Sequence, residues 1–176
     1  EHGESIFMVG KTRCELGGSE YYTQIHNIAG GEPAKFNGSD EKHSVTLAFK
    51  SIGKGLTQTV HDCSNGGLAV ALAEMCIPSG LGAEIDLKKI PSDKMQTDEL
   101  LFSESNARFI ITVSRKNLDE FLSLARATRA TVAEIGRVND TGELVIFEDS
   151  KKAVACEVEA MRKAWSEPIS KSMGGC

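Results

Sequence analysis

The stretch HDCSNGGLAVALAEM, His61 to Met75, joins six small or polar residues to an apolar pattern with helical spacing. A helix N-terminus leaves backbone N–H groups unpaired and carries partial positive charge, so it attracts anions. Gly66-Gly67 lets a ligand approach the backbone closely, and Ser64 or Asn65 is a suitable cap. Strand, short polar loop, Gly-Gly and helix together have the form of a phosphate site. The same residues also make a plain strand-to-helix turn capped by Asp62 or Ser64, and spacing alone favours the turn. His61 and Cys63 share one face of an extended segment, as a thiol nucleophile and its base must. Cys63 at the lip of an apolar helix reads better as a small packed residue, so no catalytic residue is assigned.

A second candidate is DELLFSES, Asp98 to Ser105, which carries Glu99, Glu104 and Ser105 beside an apolar Leu100-Leu101-Phe102. Glu104 suits a magnesium-bridged phosphate or a ribose hydroxyl; it equally suits a helix cap or a pair with Arg108, and spacing favours these plainer roles. Gly10-Lys11-Thr12 follows a strand like the end of a P-loop. That motif needs a Gly five residues before Gly10, where Ser5 stands, and no helical pattern follows Thr12. The five cysteines form no CxxC pair and the four histidines show no ligand spacing, so no metal site and no disulfide framework is expected.

The elements that must position these residues come from one chain of 176 residues, 40% hydrophobic and 26% charged, the size and composition of a single globular domain. A net charge of −5 argues against a nucleic-acid surface. No apolar run approaches the roughly 20 residues of a membrane span, and EHGESIFMVG has no signal-peptide pattern. The odd cysteine count points to the cytoplasm. Because the chain opens on Glu1 with a strand a few residues later, it is expected to be a piece of a longer polypeptide.

Ser5 to Val9 is an apolar strand. Gly17-Gly18 breaks the chain before a helical turn at Ser19 to His26, and Gly30 to Asp40 reads as a loop. A helix follows, capped by Asp40, with Val45, Leu47, Ala48 and Ile52 on its apolar side and Gly53 and Gly55 at its end. Thr57 to Val60 is a short strand. The helix after Gly67 turns Leu68, Ala71, Leu72, Met75 and Cys76 inward and stops at Pro78, Gly80 and Gly82. Strands are expected at Ala83 to Leu87 and Arg108 to Val113, with a helix and loop over Ser92 to Ser105 between them. An amphipathic helix spans Asn117 to Ala127. Val132 to Val138 and Glu143 to Phe147 form a hairpin around Asn139-Asp140-Thr141-Gly142, and a last helix runs from Lys151 to Trp165. The alternation gives an α/β (α+β) sandwich, a mixed sheet with helices packed on it.

Three motifs, LGGSEYY (Leu16 to Tyr22), HDCSNGGLAVALAEM and LLFSESNARFIITV (Leu100 to Val113), resemble the phosphoribosylformylglycinamidine synthase family in order and content. They look like the C-terminal α/β domain of its second repeat, over nearly the whole chain from the first strand to Trp165. Aminoimidazole ribonucleotide synthetase, selenophosphate synthetase and thiamine-monophosphate kinase share the superfamily fold, but GGSEY and the LFSES–ARF pair are not expected in them. The resemblance implies an AIR synthase-related C-terminal domain over residues 1–167 and a tail over 168–176. It implies a role in the ATP- and Mg²⁺-dependent ligase that converts formylglycinamide ribonucleotide and glutamine-derived ammonia to the amidine in purine synthesis. The implied partners are the N-terminal domains of the same chain, a glutaminase domain or subunit and a small-molecule substrate, with no nucleic acid and no membrane. By motif match, the nucleotide- or phosphate-facing candidates are Gly17, Gly18, Ser19, Asp62, Ser64, Gly66, Gly67, Glu104 and Ser105. Cys63 and Asn65 depart from the valine and aspartate of the family's HDVSDGGL, the second removing a negative charge that a metal would use. The alternative is an auxiliary or structural domain of that enzyme, inactive alone.

Overall fold

In the computed structural model, residues 1–172 are described. Seven strands form one sheet: β1 (Ser5–Val9), β2 (Thr59–Asp62), β3 (Gly82–Asp86), β4 (Phe109–Val113), β5 (Val132–Asn139), β6 (Glu143–Glu148) and β7 (Lys151–Glu157). Their spatial order is β2-β4-β1-β5-β3-β6-β7. β3 and β6 run parallel, and the other neighbours are antiparallel. The mixed sheet matches expectation. Helices α1 (Gly38–Gly53), α2 (Gly67–Ser79), α3 (Thr97–Phe102), α4 (Leu118–Thr128) and α5 (Val158–Ser172) cover it.

All five residues of β1 are buried, because it lies inside the sheet and both of its faces are covered. Successive strand residues point to opposite faces. Accordingly Ile6 and Met8 join one apolar cluster with Leu68 and Leu72 of α2, Leu100 of α3 and Val158 of α5. Phe7 and Val9 join the other, with Leu47 and Ala48 of α1 and Phe121 and Ala125 of α4. The rings of Phe7 and Phe121 meet with centroids 5.0 Å apart.

Several expected elements differ. β5 and β6 are not a hairpin: β3 lies between them, antiparallel to β5 and parallel to β6. The hairpin is β6–β7, through Asp149 and Ser150, both at positive φ (49° and 63°) as a two-residue turn of this hand requires. Lys151 to Glu157 is therefore strand, not the first turns of a helix. α5 starts at Val158 and continues through Pro168 to Ser172, past the expected end at Trp165. The expected Gly174-Gly175-Cys176 end lies outside the described residues. α1 is capped by Asn37, not Asp40: the Asn37 side chain accepts from the N–H groups of Ser39 and Asp40, both at 3.2 Å. Its inward face is Ser44, Leu47, Ala48 and Ser51, while Val45 and Ile52, expected inside, are exposed. The expected helical turn after Gly18 is one π-helical turn, Tyr21–Ile25.

Candidate functional site

β2 and α2 deliver His61 to Gly67 to one end of the sheet, where the segment after α3 crosses it. That segment is extended, so Ser103 and Ser105 point one way and Glu104 the other. The two serines bind the Arg13 backbone: Ser103 Oγ donates to the Arg13 carbonyl at 2.6 Å, and Ser105 Oγ accepts from the Arg13 N–H at 3.0 Å. Ser103 Oγ also accepts from the Glu15 N–H. Glu104 faces α2. Its Oε1 accepts from the N–H of Gly66 at 2.8 Å and of Glu20 at 2.9 Å.

The N–H expected to face an anion therefore faces one, and that anion is the chain's own carboxylate. Neither Ser64 nor Asn65 caps α2. Gly66 holds the cap position at φ 78° with no side-chain bond, and the Ser64 hydroxyl donates to Asp62. That bond, foremost, lowers the Asp62 pKa and keeps it charged. Gly67 is demanded by packing: a Cβ there would stand 2.5 Å from the Ser103 carbonyl oxygen and 2.9 Å from that of Leu101. Gly17 plays the same part elsewhere, since its Cβ would stand 2.1 Å from the Glu32 carbonyl oxygen. Gly18, at φ 74°, donates its N–H to Gly30. Ser19 is buried, and its hydroxyl accepts from the Tyr22 N–H at 3.2 Å. Of the nine candidates, Asp62, Ser64, Gly66, Gly67, Glu104 and Ser105 converge here. Gly17, Gly18 and Ser19 form a neighbouring turn, linked to the site through the Glu20 N–H.

Arg108 organises the whole segment. It is 1% exposed, and its guanidinium donates to the carbonyls of Ser105 and Ser103 and to Thr12 Oγ1. It clasps the carbonyls of the residues on either side of Glu104 and does not pair with the Glu104 carboxylate. Burial foremost lowers its pKa. Ser103 was absent from the expected set, although the Ser-Glu-Ser alternation is a period-two signal that places it with Ser105. Gly10-Lys11-Thr12 is architecture too. A Gly10 Cβ would stand 2.7 Å from the Ala107 carbonyl oxygen, Lys11 pairs with Asp93, and Thr12 accepts from Arg108. Glu99 caps α3, accepting from the Gln96 N–H at 2.7 Å.

Cys63 and His61 do not form a catalytic pair. The His61 ring lies 3.3 Å from Glu74 of α2. Cys63 is buried, and burial pushes its thiol up to about 11, whereas a reactive thiol needs a lowered pKa.

Asp62 to Asn65 and Glu104 to Phe109 line an open cleft of about 600 Å³. Its charged lining residues are Asp62, Glu104 and Arg108, and the Arg108 donors are engaged within the chain.

The AIR synthase related protein, C-terminal domain, matches residues 1–149. The chain belongs to that family. Subunit PurL of phosphoribosylformylglycinamidine synthase from Moorella thermoacetica is 37% identical over 95% of this chain. The chain spans 22% of that relative's length. Among solved structures, T. maritima PurL complexed with FGAR superposes with a TM-score of 0.79 at 18% identity, covering 92% of this chain and 28% of that one. T. maritima PurL complexed with ATP gives 0.73 at 21%, covering 92% and 26%. At these identities the likeness shows a shared fold.

Among the described residues no group of three or more His, Cys, Asp and Glu is arranged to hold a metal ion. The α2 N-terminus is filled by Glu104, and two carboxylates line the cleft with no disengaged cation, so the charge and donors that would receive a bare phosphate there are already taken. No helix among the described residues is long and apolar enough to cross a membrane.

Proposed function

We propose that this chain is one domain of a phosphoribosylformylglycinamidine synthase, the ATP-dependent ligase that makes the amidine from formylglycinamide ribonucleotide and ammonia. The observation that carries this reading is the 37% identity to a PurL subunit across 95% of the chain. The rest of the polypeptide supplies the Mg²⁺ and substrate contacts, a glutaminase supplies ammonia, and the enzyme works in the cytoplasm. Within it the Gly66-Gly67 turn is architecture: it seats α2 against the Ser103 carbonyl and is closed by Glu104.

A second reading, an auxiliary nucleotide site at the same residues, is favoured by the volume of the cleft. About 600 Å³ lies within the roughly 300–1,000 Å³ range of small-molecule sites.

The full synthetase polypeptide containing this chain is assayed for amidine formation with ATP, Mg²⁺ and ammonia. Activity in the full polypeptide and none in this chain alone is expected. An inactive full polypeptide, or an active isolated chain, overturns the reading. Calorimetric titration of the full polypeptide with ADP and Mg²⁺, beside Asn65→Trp, separates the two roles. Asn65 is exposed and lines the cleft, so the indole blocks it without disturbing the Gly67 packing. Loss of one bound nucleotide in the variant establishes the auxiliary site, and unchanged stoichiometry leaves architecture.

A further inference from the structure

α1 has two apolar faces, and the sheet uses one. Leu47 and Ala48 turn inward with Ser44 and Ser51, in the cluster shared with α4. Val45, Phe49 and Ile52 follow at i, i+4 and i+7, which sets them on one stripe. They are 50%, 76% and 57% exposed. Gly38 falls on the same stripe one turn before Glu41. Phe36, 79% exposed, extends it: its ring Cε1 lies 3.2 Å from where a Gly38 Cβ would stand. These are four of the eight large apolar side chains exposed among the described residues, so the exposure is concentrated here. Among the described residues Phe49 belongs to neither buried cluster.

We propose that the Phe36–Val45–Phe49–Ile52 stripe of α1 is a docking surface for another domain of the same polypeptide. This rests on the reading above, that the chain is one domain of a longer synthetase. Length identifies the occupant: the chain spans 22% of the PurL relative, so more than three quarters of such a polypeptide lies outside it. A domain tethered in the same chain meets the stripe at high effective concentration, an advantage that a free second copy lacks. Uncovered, the stripe is the kind of apolar patch that promotes aggregation.

The test places cysteine singly at Val45, Phe49, Ile52 and Lys50 in the full-length polypeptide. Lys50 is exposed and sits about 100° round the helix from Phe49. Maleimide labelling of the native protein is read by mass spectrometry of the labelled peptide, and amidine-forming activity is measured on each preparation. The three stripe thiols are expected to label about tenfold or more slowly than Lys50→Cys, at every protein concentration. Equal rates at all four positions overturn the proposal. Protection that disappears on dilution also overturns it, in favour of a second copy. Protected thiols in an inactive polypeptide uphold docking and sink the functional reading alone. Equal rates in an active polypeptide sink docking alone.

Discussion

Glu104 is the residue on which the reading of the site turns. One carboxylate oxygen takes two backbone N–H groups from segments far apart in sequence, at Glu20 and Gly66. Glu104→Ala leaves the buried Gly66 N–H unpaired and is expected to cost about 1–3 kcal/mol. Glu104→Gln keeps an acceptor and is expected to cost less. Urea unfolding measures both, and an alanine variant as stable as the parent would show that the bond does not matter. The buried thiols give a pH prediction. Burial raises Cys63 and Cys76 from 9.0 to about 11 in the folded chain. Their contribution is complete below pH 9 and is lost as pH rises through 11, because the unfolded chain releases those protons first. The urea midpoint is expected to fall between pH 9 and 11, and to fall less in Cys63→Ala/Cys76→Ala. Equal slopes in the two proteins would refute the assignment. At this scale the sequence singled out residues that the fold brings together, but not their hydrogen-bond partners. Gly66-Gly67 was legible as a special helix start. The carboxylate that fills it comes from 38 positions away, and local spacing carries no trace of that.

Among the elements, those read correctly are the ones whose signal is local. SIFMV is apolar from Ile6 to Val9 because β1 is covered on both faces, and α2 and α4 show their inward residues at helical spacing. The Asn139-to-Gly142 turn residues are equally local. They suggested a β5–β6 pairing because the sequence does not show that β3, some fifty residues earlier, inserts between them. β7 was misread because its turn residues are Asp149 and Ser150 rather than Asn-Gly, and because an edge strand exposed on most of its length has little apolar alternation. The start of α1 separates the two capping assignments. Asn37→Ala is expected to cost about 1 kcal/mol. Asp40→Ala, which loses an exposed bridge to Arg13, is expected to cost less, about 0.2–1 kcal/mol. Thermal unfolding of the two variants decides, and the reverse order would restore Asp40 as the cap.

For the molecule as a whole, the sheet order makes the first strand indispensable. β1 bonds β4 on one side and β5 on the other, and its side chains enter both apolar clusters. Removal of residues 1–9 is expected to abolish cooperative unfolding altogether, not to lower stability by a fixed amount. A sharp calorimetric transition in the shortened chain would contradict the topology. Fold class was legible at this scale because alternating strands and helices leave few layer arrangements. The strand order was not, since it is decided by contacts across the whole chain.

The same topology governs how the protein is made. Val9 pairs with Phe109 and Val132, so the ribosome must add about 100 residues before β1 gains one neighbour and about 120 before it gains the second. At roughly 5–20 residues per second, SIFMV emerges and waits on the order of 5–20 seconds without a strand beside it. During translation that segment stays without its full set of sheet partners, and synonymous codons that slow elongation before Val132 would lengthen its exposure.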